Sequence, residues 1–162
     1  MENERIARTK RLLERYDRMT AFVENAKKDI ADYNAMLAED PGAKVPGYGI
    51  GGGGTSELTE EERAYCTNEE TRRKAAELAA EVARVEPTVN RIKRGLESLE
   101  RADRVVLESR YVYHYTWGTT SRRAYMSTAW CRKRLPKALE LLADTLFGPG
   151  DIPIQAELFS IH

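Results

Sequence analysis

Seven cationic side chains, Arg110, Arg122, Arg123, Arg132, Lys133, Arg134 and Lys137, fall between Glu108 and Glu140 in a window of 31 residues that holds no carboxylate. Guanidinium and ammonium groups without neighbouring acids bind phosphate well, the guanidinium through a planar fork that meets two oxygens at once. Their spacing matters as much as their number. Residues three and four apart share a helix face, so Thr128 lies beside Arg132, and Ala129 lies beside both Arg132 and Lys133. Small and polar residues next to long cations on the first two turns of a helix suit the reading of base edges in a major groove. Arg122, Arg123, Arg134 and Lys137 flank those turns and are expected to neutralise phosphates. Three basic residues alone would read as a solvated helix face; the acid-free window tips the balance toward DNA.

Other reactive side chains lack the company that catalysis needs. His114 has neither a neighbouring nucleophile nor a second ligand. Glu60, Glu61 and Glu62 form a carboxylate cluster, but after Thr59 they fit the start of a helix, where the dipole favours acids. Cys66 and Cys131 are far apart, with no Cys-x-x-Cys partner and no histidines at metal-ligand spacing, which argues against a disulfide scaffold and a zinc site. Gly51 through Gly54 are followed by Thr55 and Ser56, not by the Lys that a phosphate-binding loop places after its last glycine. The expectation is a protein that is not an enzyme, with no catalytic residue, metal or cofactor.

The chain that carries these residues has 162 of them, the scale of one domain or of a small domain with an extended element. Its formal net charge is zero, which excludes a uniformly basic, histone-like binder, yet residues 1–100 sum to −3 and residues 101–162 to +3. Tyr111, Tyr113, Tyr115, Trp117, Tyr125 and Trp130 concentrate the aromatic content in the same stretch as the cations, and the two tryptophans are read as core. No apolar run approaches the roughly 18 residues of a membrane span, and the amino terminus has no apolar signal region. A soluble, cytoplasmic protein with no membrane partner is expected.

Two seams organise the first hundred residues. Leu12, Tyr16, Met19, Val23, Ala26, Ile30, Tyr33 and Leu37 alternate gaps of four and three, which predicts one helix from about Glu4 to Glu39 with a narrow apolar stripe. Ala75, Leu78, Val82, Val85, Val89, Ile92, Leu96 and Leu99 repeat the pattern and supply an intrachain partner. This second helix is expected to begin after Thr59 or nearer Thr71, with a kink or local break at Pro87. The two are joined by a Gly-rich linker, residues 40–58, expected to be a flexible tip. Gly95 is tolerable within the helix at about 1 kcal/mol relative to Ala. Beyond Leu99 the spacing predicts a short helix from Asp103 to Tyr113, a turn at Thr116-Trp117-Gly118, a segment from Thr119 to Tyr125, and a longer helix from Ser127 to Phe147 with Trp130, Leu135, Leu139 and Leu142 inward. A helix-turn-helix follows from the last two, with Tyr125-Met126 as the turn and Ser127 as N-cap of the recognition helix. Pro136, deep inside that helix, predicts a bend or a restart.

Trp117, Thr120, Ser121, Ala124, Met126 and Ser127, followed by Ala138-Leu139, resemble the pattern of the fourth region of bacterial sigma factors. Thr120 and Ser121 depart from it where an aliphatic residue and Ala are usual, and Pro136 where a basic residue is common. The whole chain resembles small phage and prophage transcriptional regulators of the RinA and ArpU type, which join a helical N-terminal part to a sigma-like helix-turn-helix. The resemblance implies transcriptional control of phage or mobile-element genes.

The expected architecture is therefore all-α: an antiparallel helical hairpin or coiled coil over residues 1–101, a three-helix sigma-region-4-like helix-turn-helix domain over 102–148, and a C-terminal tail over 149–162. The expected DNA-binding residues are Arg122, Arg123, Ser127, Thr128, Ala129, Arg132, Lys133 and Lys137. Double-stranded DNA is the expected partner of a monomer or homodimer. The alternative is a helical interaction module that contacts RNA polymerase or a packaging component, a small terminase subunit included.

Overall fold

The computed structural model describes residues 3–39 and 59–150, which form helices and turns with no strand among them. The expected linker tip and most of the C-terminal tail, residues 40–58 and 151–162, lie outside the described residues.

Helix α1 runs Glu4–Glu39. Along its seam Val23 and Ala26 are buried and the other seam residues half-buried, as a narrow apolar stripe demands. Near its start the helix buries more than the stripe. Thr9, three positions before Leu12, is fully buried, and its hydroxyl donates to the Arg5 carbonyl at 2.7 Å. Leu13, one residue off the seam, is also fully buried because α1 here meets several helices at once.

Helix α2 runs Glu60–Glu97 and begins at the earlier of its two expected starts. Thr59 and Glu62 form a capping box: the Glu62 amide donates to Thr59 Oγ1 at 3.2 Å, and the Thr59 amide to Glu62 Oε2 at 2.9 Å. The seam continues back from Ala75 through two buried polar residues, Thr71 and Asn68. Pro87 does not break the helix. It is exposed, and the carbonyl that loses its helical donor belongs to Ala83, also on the exposed side.

The chain divides into two compact units, Ala21–Glu86, and Met1–Thr20 with Pro87–His162. In the first, Lys27 pairs with Glu86, and Val23, Ala26, Ala75 and Val82 are buried. In the second, Leu13, Ile92, Leu96, Leu107, Val112, Ala138, Leu139, Leu142 and Leu146 make one apolar cluster. Gly95 has a packing role there: a Cβ at this position would stand 2.9 Å from Leu142 Cδ1 and 3.3 Å from Leu146 Cδ2, so its absence lets α2 approach the last helix.

Helix α3, Arg101–Leu107, passes into a π turn, Glu108–Val112, where the expectation was a helix of ordinary pitch to Tyr113. The wider turn, closed by the Tyr113 amide on the Glu108 carbonyl at 2.9 Å, places Ser109 and Val112 inward and leaves Tyr113 exposed. Helix α4 is Trp117–Ala124. It takes in Trp117 and Gly118, read from the sequence as a turn, because the Thr116 hydroxyl accepts the Thr119 amide at 3.2 Å and starts the helix early. Helix α5, Thr128–Phe147, is unbroken, so Pro136 does not restart it; the proline is exposed, and the helix continues beyond the one bond it removes. A second apolar cluster, Val106, Ala124 and Cys131 with Trp117, Met126, Trp130 and Leu135 packed on it, ties α3, α4 and α5 together.

Candidate nucleic-acid interface

Between α4 and α5 the chain turns within three residues. Tyr125 takes the left-handed conformation, φ 55°, which costs a non-glycine residue on the order of 1–3 kcal/mol. The turn is held from both sides. The Ser121 hydroxyl donates to the Met126 carbonyl at 2.5 Å, and the Met126 amide donates to the Ser121 carbonyl at 3.2 Å. Thr120, fully buried, donates its hydroxyl to the Thr116 carbonyl at 2.9 Å. The two residues that depart from the sigma-like pattern are thus polar groups with partners, and one of them clamps the turn. Ser127 then caps α5, its Oγ accepting the Trp130 amide at 3.1 Å.

Past this cap Ala129, Arg132 and Lys133 are exposed on the first two turns of α5, and Thr128 is half-buried. Arg122, Arg123 and Lys137 are exposed as well. Several of these cations rest on rings. Arg132 lies 5.6 Å from the centre of the Trp117 ring, which Arg110 approaches to 4.3 Å. Arg123 lies 5.1 Å from Tyr115, itself stacked on Tyr113 at 5.4 Å. Arg122 reaches Thr119 Oγ1 at 3.3 Å, and Lys137 stands 3.7 Å from Glu140. A ring face fixes a guanidinium without cancelling its charge, so Arg123 and Arg132 are oriented cations with donors still open to an anion.

Arg134 corrects the sequence expectation. Its Nε donates to Asp103 Oδ1 at 2.7 Å and its Nη2 to Oδ2 at 2.9 Å, and Asp103 is only 2% exposed. The guanidinium is the counter-ion of a buried carboxylate, and that hydrogen bond pushes its pKa further up. Arg110 is also engaged inside the fold, donating to the Tyr115 carbonyl at 2.5 Å while it covers Trp117. Five of the seven cations of the window have no such internal role: Arg122, Arg123, Arg132, Lys133 and Lys137, the last with the exposed Glu140 beside it.

Sequence reasoning missed Tyr125 as a surface feature. It is 82% exposed, with Arg101 5.0 Å from its ring and the Arg101 Nη2 donating to the Arg123 carbonyl at 3.1 Å. The interleaving of arginine and aromatic residues in the window was the signal for these ring contacts. Beside them Glu108 is half-buried; burial pushes its carboxyl above the ordinary glutamate range, against the pull of Arg104 and Arg123. Burial likewise raises the Cys131 thiol, which leaves it a poor nucleophile. Among the described residues no three His, Cys, Asp or Glu side chains come together as a metal-ligand set, and no helix is long and apolar enough to cross a membrane. No family model, no curated protein and no solved structure matches this chain.

Proposed function

We propose that the chain is a non-enzymatic, duplex-DNA-binding transcription regulator in which a sigma-like helix-turn-helix reads the major groove with the helix that starts at Ser127. The observation that carries this reading is the doubly capped pair α4 and α5. A tight, hydrogen-bonded turn presents Ala129, Arg132 and Lys133 at the open end of α5 while oriented arginines flank it. The helical-hairpin reading of the N-terminal part is supported by contacts within one chain, Lys27 with Glu86 and Leu13 with Ile92 and Leu96. Control of phage or mobile-element genes follows from the resemblance alone.

The test is a titration of the full chain and its variants on matched and scrambled duplexes, after a genome-wide DNA pull-down has supplied the site. The five available cations should contribute roughly −4 to −5 to the slope of log affinity on log salt. Arg132→Ala should cost about 1–3 kcal/mol on the preferred site and relax discrimination at one or two base positions. Arg123→Ala should weaken all duplexes alike and reduce the slope by about 1. Unchanged affinity in both, with the fold intact, overturns the assignment. The second reading, an interaction module for RNA polymerase or a packaging component such as a small terminase subunit, is favoured by the exposed Tyr125 ring. It gains if the chain binds no duplex, and a large ring in sedimentation would mark the terminase case.

A further inference from the structure

Outside the window the molecule carries a second set of cations, most of which have no ion-pair or ring partner among the described residues. Arg8, Arg11, Arg15 and Arg18 follow one another on α1 at gaps of three, four and three, so they form a single stripe about 15 Å long. All four are exposed. Arg8 covers the Phe147 ring at 4.5 Å. No carboxylate among the described residues comes within 4.0 Å of Arg11, Arg15 or Arg18, although Glu14 and Asp17 lie on the same helix. Like charges three and four apart destabilise a helix by tenths of a kcal/mol each, and among the described residues no ion pair to Arg11, Arg15 or Arg18 within 4.0 Å offsets that cost. All four belong to the compact unit that holds α4 and α5. Phe147 ends α5, a helix about 30 Å long, so the stripe begins beside the end remote from Ser127.

We propose that this arginine stripe is a second phosphate-binding face, which grips a further stretch of duplex without regard to sequence while the first turns of α5 read bases. The proposal rests on the DNA-binding reading for its choice of partner. Guanidinium forks suit phosphate oxygens, and a 15 Å row matches the rise of four or five base pairs at about 3.4 Å each. Contacts from Arg11, Arg15 and Arg18 add to those of the window, so the salt slope of the intact protein should approach roughly −7, steeper than the five window cations allow.

The experiment compares the full chain with three variants on a duplex several helical turns long, with circular dichroism as a fold control: Arg11→Ala/Arg15→Ala/Arg18→Ala, the same three positions changed to Lys, and Arg132→Ala/Lys133→Ala. The stripe alanines should lower the magnitude of the slope by roughly 2–3, equally on matched and scrambled duplexes, and keep the sequence preference. The lysine variant should restore most of that slope. An unchanged slope in the stripe alanines, with preference lost in Arg132→Ala/Lys133→Ala, overturns the stripe and leaves the helix-turn-helix reading standing. Binding lost with the stripe and untouched by the α5 variant does the reverse. Indifference of both, or no binding by the wild type, sinks both. If only capture by phosphatidylglycerol vesicles is lost with the stripe, the face is a membrane contact and the proposal is wrong.

Discussion

The exposed face of α2 and the acid-free window are both rich in arginine, and they treat it in opposite ways. On α2, Arg72 stands 3.0 Å from Glu69, Lys74 3.5 Å from Glu70 and Arg84 2.8 Å from Glu81, each pair one helical turn apart. In the window Arg110 and Arg132 lie over Trp117 and Arg123 over Tyr115. A carboxylate one turn away cancels the field of a cation and adds little stability at an exposed site. A ring holds the cation in place and leaves its field intact. Arginine content therefore distinguishes neither surface; what lies one turn away does, and of these two surfaces the window, where Lys137 has such a carboxylate but Arg122, Arg123, Arg132 and Lys133 do not, keeps more of its charge.

The sharpest break between the two regions is Arg134, a cation of the window whose partner is a buried carboxylate. Arg134→Ala removes the guanidinium that pairs with the buried Asp103 carboxylate and should lower the urea midpoint clearly below that of wild type. Arg72→Ala on α2 should leave the urea midpoint where it is, since Glu69 then faces water. If Arg134→Ala melts like wild type, the Asp103 pair is no structural element and Arg134 returns to the phosphate-binding set.

Trp117→Leu tests the ring as an orienting device. Leucine keeps an apolar contact with the Val106, Ala124 and Cys131 cluster but offers no π face to Arg110 or Arg132. Two cation–π contacts at about 0.5–1 kcal/mol each set a loss of about 1–2 kcal/mol in denaturant unfolding. Affinity for duplex should fall with no change in the salt slope, because the cations are still present. A slope that drops would mean that the ring retains charge rather than aims it.

These contrasts also mark what the sequence could disclose. The extents of α1 and α5, the caps at Thr59 and Ser127 and the inward set of α5 depend on neighbours within one or two turns, and three-four spacing exposes them. Leu13 was invisible because its burial depends on packing against Ile92, Leu107 and Leu142, far along the chain. Arg134 looked free for the same reason: its partner is 31 residues away. Thr9, Asn68 and Thr71 are buried polar residues at seam positions, which a search for apolar side chains passes over. The π turn shifts the inward set to Ser109 and Val112, and ordinary helical spacing cannot anticipate a change of pitch.

The two caps give a matched pair of smaller effects. Thr59→Ala and Ser127→Ala each remove a hydroxyl that accepts a helix amide, and each should cost about 1 kcal/mol of stability. Only Ser127→Ala should also weaken duplex binding, because the turn it loosens is the one that presents Ala129, Arg132 and Lys133. Equal binding by both variants would detach the α5 start from the interface.

The smallest effect is a difference in sign between two glutamates, seen in stability against pH. On α2 the Arg84 guanidinium holds Glu81 below the ordinary carboxylate range, so this group contributes stability above its unfolded pKa and loses it as pH falls through the lower, folded one. Beside the window, burial holds Glu108 above that range in spite of Arg104 and Arg123. Between the unfolded and the raised folded pKa the native state binds more protons, so the Glu108 contribution declines as pH rises across that interval. Glu81→Gln should therefore lower the urea midpoint at neutral pH, and Glu108→Gln should raise it; both differences should vanish in acid. Glu108→Gln also removes a negative charge near Arg123 and should strengthen duplex binding at neutral pH, an effect with no counterpart in Glu81→Gln. Midpoints measured from about pH 2 to 7, a range that runs below the ordinary glutamate value as well as above it, decide the matter. Two differences of the same sign would mean that the guanidiniums beside Glu108 neutralise it as fully as Arg84 does Glu81, and the window would then be as quiet as the face of α2.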